Sequence, residues 1–180
     1  WNIGTIQSLT SRETADISLN GIKSKAEVEP LTYYGIVRAQ KEINEGKQGI
    51  GFISTAASRF FKDDNLRAEI NSGAFTGGID GWTFLDSSRT WVLAGWSGLG
   101  HVTGSKERIT DLQKSSRHYF QRPDSKYLNV DSTATSLTGY AGRLHLNKQK
   151  GNVFINSAFG FVTPKFDVND VGFLWRSDLI

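Results

Sequence analysis

The chain predicts an all-β fold: an antiparallel, up-and-down transmembrane β-barrel, of which these 180 residues supply about seven to eight strands. Three observations predict it. Segment after segment alternates apolar and polar residues with period two, the pattern of a strand with one apolar and one polar face. The connections alternate long and short, as in outer-membrane barrels, where short turns face the periplasm and long loops face outside. Aromatic residues gather near the segment ends, where amphipathic rings would meet lipid headgroups at two rims.

The first segment, Trp1 to Thr10, places Ile3, Thr5 and Leu9 on one side and Asn2, Gly4 and Ser8 on the other, with Ile6 breaking the pattern. A long link, Thr10 to Pro30, follows. From Leu31 to Asn44, Tyr33, Val37, Ala39 and Ile43 share one face, and Arg38, Gln40 and Glu42 share the other. Asn44-Glu45-Gly46-Lys47 is a hairpin turn, with Gly46 free to take positive φ. Gln48 to Phe60 lines up Ile50, Phe52, Ala56 and Phe60. A polar link runs from Phe61 to Ser72. The Gly-rich strand Ser72 to Phe84 sets Phe75 and Ile79 against Thr76, Gly78 and Asp80. After a short turn at Asp86 to Ser88, Thr90 to Val102 sets Trp91, Leu93 and Leu99 against Val92, Ala94 and Trp96.

The longest link, a loop over 105–134, holds one helix from Lys106 to Ser116, capped by Ser105 and with Glu107 in its first turn. Ser136 to Lys148 alternates Tyr140, Leu144 and Leu146 against Arg143, His145 and Asn147. Asn152 to Thr163 alternates Val153, Ile155, Phe159 and Phe161 against Asn156, Ala158 and Gly160, and puts Ile155 near mid-depth. An eighth strand begins near Val171. Tyr33, Tyr34, Phe60, Phe61 and Phe166 fall at the long-loop rim. Trp1, Trp82, Phe84, Trp91 and Phe154 fall at the short-turn rim.

Each segment has about the ten residues that a tilted strand needs to cross hydrocarbon, and no apolar run reaches the roughly 18 of a membrane helix. The polar faces of these strands then line a wet lumen: Arg38, Gln40, Glu42, Asp80, Arg143 and His145 are the residues expected there. The whole of 1–180 reads as one barrel segment. With no Met, and with a pattern already running at Trp1 and still running at Ile180, it is expected to be an internal part of a longer chain; no signal peptide is visible.

Charge is nearly balanced, with 21 basic and 18 acidic residues and no basic stripe, so nucleic acid is not an expected partner. Outer-membrane lipid is, with a glycan or small molecule as a further ligand. The absence of Cys removes disulfides, thiolate zinc sites and cysteine nucleophiles. His101, His118 and His145 show no metal spacing, and no G-x-S-x-G elbow or phosphate-binding glycine loop occurs. Asp63-Asp64 and the run Asp167, Asn169, Asp170 match no calcium loop and read as turn-forming Asx residues. No catalytic residue, metal or cofactor is therefore expected, and the chain does not read as an enzyme.

One loop concentrates binding chemistry. Arg117, His118, Tyr119, Gln121, Arg122 and Asp124 bring two arginines, an imidazole, an aromatic ring, an amide and a carboxylate together. Arginine forks and aromatic faces suit sugars, carboxylates or phosphates. The bland reading is that the loop folds over the mouth and an arginine pairs with Asp124 or with lumen acids.

Five stretches carry a family resemblance: Glu29-Pro30-Leu31-Thr32-Tyr33-Tyr34, Gly78-Ile79-Asp80-Gly81, His101-Val102-Thr103-Gly104-Ser105, Tyr119-Phe120-Gln121-Arg122-Pro123-Asp124 and Asn169-Asp170-Val171-Gly172-Phe173. In order and spacing they resemble an outer-membrane barrel family of Gram-negative bacteria, known as domain of unknown function (DUF) 5916. The resemblance implies a larger protein with a carbohydrate-binding-like domain upstream, and it implies a location in the cell outer membrane rather than an activity. A different class competes: a soluble β-sandwich or barrel that binds carbohydrate through its Trp residues. It would put Val37, Ile43, Ile50, Phe52, Leu144, Val153, Ile155 and Phe159 inside and Arg38, Gln40, Glu42 and Arg143 outside. A barrel enzyme would need a Ser/His/acid cluster near the rim.

Overall fold

The computed structural model describes all residues from Trp1 to Ile180. Seven strands form one antiparallel sheet: β1 (Asn2–Thr10), β4 (Leu31–Ile43), β5 (Gln48–Phe60), β6 (Gly73–Phe84), β7 (Trp91–Thr103), β8 (Ser136–Lys148) and β9 (Ile155–Val162). They pair in that order, each with the next. Between β1 and β4 the chain forms a separate two-stranded ribbon, β2 (Glu13–Leu19) and β3 (Ile22–Glu29). The fold is thus all-β and antiparallel, a meander. The sheet is not closed, because β1 and β9 each leave one edge unpaired.

The ladder register separates two faces. Paired residues in an antiparallel sheet project to the same side. One side carries Tyr33, Val37, Ala39 and Ile43 of β4, Ile50, Phe52 and Phe60 of β5, and Phe75 and Ile79 of β6. Leu93 and Leu99 of β7, Tyr140, Leu144 and Leu146 of β8, and Phe159 and Phe161 of β9 continue it. Its only Lys, Arg, Asp or Glu residues are Lys41 and Lys148, both at the short-turn end. The other side carries Arg38, Glu42, Arg59, Asp80, Arg143 and His145. It also carries Val102 and Leu137 at the long-loop end.

The chain packs onto the long-loop end of the polar side and packs nothing on the apolar side. Helix α2 (Lys106–Lys114) drops Ile109 and Leu112 onto Val102 and Leu137, joined by Phe120 and Leu128, to make the main hydrophobic core. Behind it, Phe166 lies across Gly100 and Gly139; a side chain at Gly139 would run into the backbone of Lys165 and Phe166. On the opposite side Ile50, Phe52, Ile79, Leu144 and Phe159 are all exposed, Phe159 by 65%.

Several sequence expectations change here. The link from Thr10 to Pro30 is a hairpin turned by Asn20-Gly21, both at positive φ, the pairing favoured by two-residue turns. The link from Phe61 to Ser72 holds α1 (Asp64–Glu69), capped by Asp63. The expected eighth strand near Val171 does not form. Residues 163–180 run back irregularly and add a single isolated β-bridge to the sheet, Val162 to Leu179. Asx side chains compete with the ladder there: Asp167 accepts from the Asn169 amide at 2.9 Å, and Asn169 from the Leu174 amide at 2.9 Å. Phe166 is buried rather than at the rim, and Tyr34, Trp82 and Phe84 lie on the polar side by register. Strand β9 starts at Ile155 rather than Asn152, and Ile155 pairs with Lys148 at the short-turn end, not at mid-depth. Phe159 is the residue of this side nearest the middle of β9, and it pairs with Leu144, two residues from the middle of β8 at Gly142.

Candidate functional site

At the long-loop end of the polar face, the segment 115–128 after α2, the tail 163–180 and the connection after β5 converge. The local sequence explains the convergence. Ser105 caps α2 by accepting from the Arg108 amide at 3.1 Å. Two residues past Ile109-Thr110-Asp111-Leu112 the helix ends, with the Ser115 amide bonded to the Leu112 carbonyl. Buried Gln113 then holds the descending loop with two bonds to the Asp131 backbone, donating at 2.9 Å and accepting at 2.7 Å.

His118 is fully enclosed and clasps the tail. Its Nε2 lies 2.9 Å from the Asp167 carboxylate, and its Nδ1 lies 2.8 Å from the Pro164 carbonyl and 3.1 Å from Ser177 Oγ. Ser177 Oγ lies within hydrogen-bond distance of the carbonyls of Arg117, at 3.0 Å, and Pro164, at 2.9 Å, so its one hydroxyl hydrogen is held by main chain. Ser, His and Asp are therefore brought together, but not as a nucleophile and its base. Ser177 is 1% exposed and its hydroxyl is tied to main chain. The carboxylate sits on Nε2, the ring nitrogen that serves the serine in a triad, and the serine on Nδ1. Burial alone would raise the Asp167 carboxyl; the bonds from His118 and from the Asn169 amide outweigh it and hold that carboxyl below the usual carboxylate range.

Arg122 ties the loop to the tail a second time. It pairs with Asp178, bonds Tyr127 Oη at 2.8 Å and lies 3.6 Å from exposed Asp124. Its main acid is thus Asp178 of the tail, with Asp124 a looser second. Tyr119, at positive φ, is half exposed, and Gln121 reaches back to the Lys114 carbonyl at 2.8 Å. Tyr119, Phe173 and Trp175 line a recess of ≈ 700 Å³ with Arg117, Arg122 and Arg176. Of the six loop residues, Arg117, His118, Tyr119 and Arg122 line the recess, and of these His118 and Arg122 are also bonded to the tail.

Arg117 also faces a smaller cleft of ≈ 170 Å³ beside Arg59, Arg108, Asn71, Asn169, Asp167 and Asp170. Arg59 pairs with Asp170, and Asn71 donates to Asp170 at 2.7 Å. Arg108 gives its Nε to Asn71 at 2.8 Å. Burial lowers the Arg108 guanidinium from its ordinary value, and neighbouring Arg117 lowers it further against the pull of Asp170 and Asp167.

The other polar residues lie lower on the same face. Arg38 makes a two-pronged pair with Asp80 across Gly51, one arm at 2.7 Å; a side chain at Gly51 would meet both partners, at 2.5 and 2.7 Å. Gln40 and Glu42 follow Arg38 along β4, and Arg143 and His145 stand on β8 with no ion-pair partner. No group of three His, Cys, Asp or Glu residues is placed to hold a metal ion. Asp63 caps α1, while Asp167 and Asp170 take protein partners.

No family model matches this chain, and comparison with curated proteins and with solved structures returns no match.

Proposed function

We propose that the chain is part of an outer-membrane β-barrel whose mouth captures or admits a small ligand, glycan-linked or otherwise. One observation carries the reading: the long loop and the tail pack on the polar face, while the apolar face stays uncovered over its whole width. A soluble sandwich or barrel would do the reverse, burying Val37, Phe52 and Leu144 against a second layer. Lipid supplies the missing layer here. The two lysines of that face sit at its short-turn end, and Lys41 lies 5.7 Å over the Trp1 ring, where a long side chain can reach headgroups. No helix is long and apolar enough to cross a membrane; in this reading the strands cross, and further strands complete the barrel between the free edges of β1 and β9.

The recess under Tyr119 and Trp175 opens at the long-loop end and is the candidate for capture. The resemblance to the DUF 5916 barrels supports the same location. Fractionation of cells making the full-length protein, with a gel run before and after boiling, tests the reading. Recovery with outer membranes and a boiling-dependent shift agree with it. Recovery in the soluble fraction without a shift opposes it and favours carbohydrate binding by a soluble β-domain.

A further inference from the structure

The small cleft beside the His118 clasp has an uncompensated charge. Three guanidiniums, Arg59, Arg108 and Arg117, surround it with two carboxylates, Asp167 and Asp170. Both carboxylates are engaged: Asp167 by His118 and Asn169, Asp170 by Arg59 and Asn71. Arg108 has one bond, to the neutral Asn71 amide oxygen, and no ion pair. The Arg117 Nε is buried with no hydrogen-bond partner, and Arg117 has no ion pair either. Arg108 and Arg117 thus stand close together with no ion pair of their own, Arg108 drawing only on the fields of Asp170 and Asp167, whose carboxylates are bonded elsewhere, in a polar cleft where only Ile70 is apolar. Like charges held together in a partly desolvated site repel, and a buried donor without an acceptor costs free energy. One group removes both costs: an oxyanion bridging the two guanidinium forks.

We propose that this cleft binds a small oxyanion, a carboxylate or phosphate group, between Arg108 and Arg117, with Asn71 and Asn169 at its margin. Its lining of guanidiniums and side-chain amides suits one such group, so the ligand is either a free anion or the anionic end of a larger molecule lying in the adjacent recess, which Arg117 also lines. The site rests on the cleft's own charges. Its placement at an open mouth rests on the barrel reading.

Calorimetric titration of the full-length protein, in low-chloride buffer, with inorganic phosphate in one arm and acetate in the other, tests the site. Saturable binding of either is expected, and which binds distinguishes a phosphate from a carboxylate site. Arg117→Gln should weaken binding about tenfold or more, while Lys126→Gln on the exposed loop should not. A melting curve keeps the test independent of folding damage. The anion should raise the melting temperature of the parent protein and not of Arg117→Gln, and without anion Arg117→Gln should melt no lower than the parent. Failure of both anions to bind, or equal binding by Arg117→Gln, overturns the proposal. A soluble protein that still binds anion through Arg117 would retain the site and remove the barrel reading.

Discussion

The two faces of the sheet differ in what they are prepared to touch. The polar face is written for the chain itself: Gly100 and Gly139 clear a path for the tail, Gly51 lets Arg38 and Asp80 meet across β5, and Val102 and Leu137 seat α2. The glycines of the apolar face make room only for the sheet's own strands, such as Tyr33 over Gly35 and Phe161 beside Gly142, and its large side chains stay exposed. Leu144 and Phe159 pair side by side and exposed, where a water-soluble domain would place a second layer. Under the membrane proposal, hydrophobicity alone does not locate the interior, and the face that the loops fold onto does.

The comparison breaks most sharply by exchanging the character of the bare face. Leu144→Arg should cost about 2–4 kcal/mol and block assembly if that side chain sits near the bilayer midplane, whereas Ile155→Arg, at the short-turn end beside Lys148, should cost only about 0–1 kcal/mol. The yield of heat-shifting protein in outer membranes measures both. Equal, near-normal assembly of both variants would remove the depth argument.

Overfilling the polar face comes next. Gly139→Ala should destabilise by about 1–3 kcal/mol by pushing Phe166 off the sheet, seen as an earlier denaturant midpoint and as faster proteolysis of the tail. Asp167→Ala should cost a similar ~1–3 kcal/mol by leaving His118 and the Asn169 amide without their acceptor. The same carboxylate gives the clasp an acid limit. Its folded-state value lies below its unfolded value, near 3.9 for Asp, so the stabilisation is complete above that value and is lost as pH falls through the folded one. Tail proteolysis should stay flat down to about pH 4 and rise below it, and Asp167→Asn should flatten that rise. The smallest effect is expected at Arg143, which has no ion-pair partner: Arg143→Ala should change stability by less than about 1 kcal/mol if water fills the lumen.

The sheet was legible because alternation is a property of each strand alone. The segment ends at Leu31, Gln48, Phe60, Ser136 and Lys148 needed no tertiary information. The β2–β3 ribbon was legible but overlooked: Asn20-Gly21 between Leu19 and Ile22 is a strong hairpin signal. The tail was not legible, since Val171-Gly172-Phe173 resembles a strand until Asp167 and Asn169 are seen bonding nearby amides. The site was half legible. Composition singled out Arg117 to Asp124, but the partners that decide its behaviour, Asp167, Ser177 and Asp178, lie 49 to 59 residues away in sequence. Only the fold brings Arg59, Arg108 and Arg117 to one cleft.

The chain contains no cysteine, so Arg143→Cys and Leu144→Cys can each carry a single fluorophore on neighbouring residues of opposite faces. With the full-length protein in bilayers containing nitroxide-labelled lipid, the label at 144 should be quenched by the lipid and the label at 143 by iodide in the water. A label at 144 that lipid does not quench, or lipid quenching that is equal at both positions, would contradict the assignment of the apolar face to the membrane.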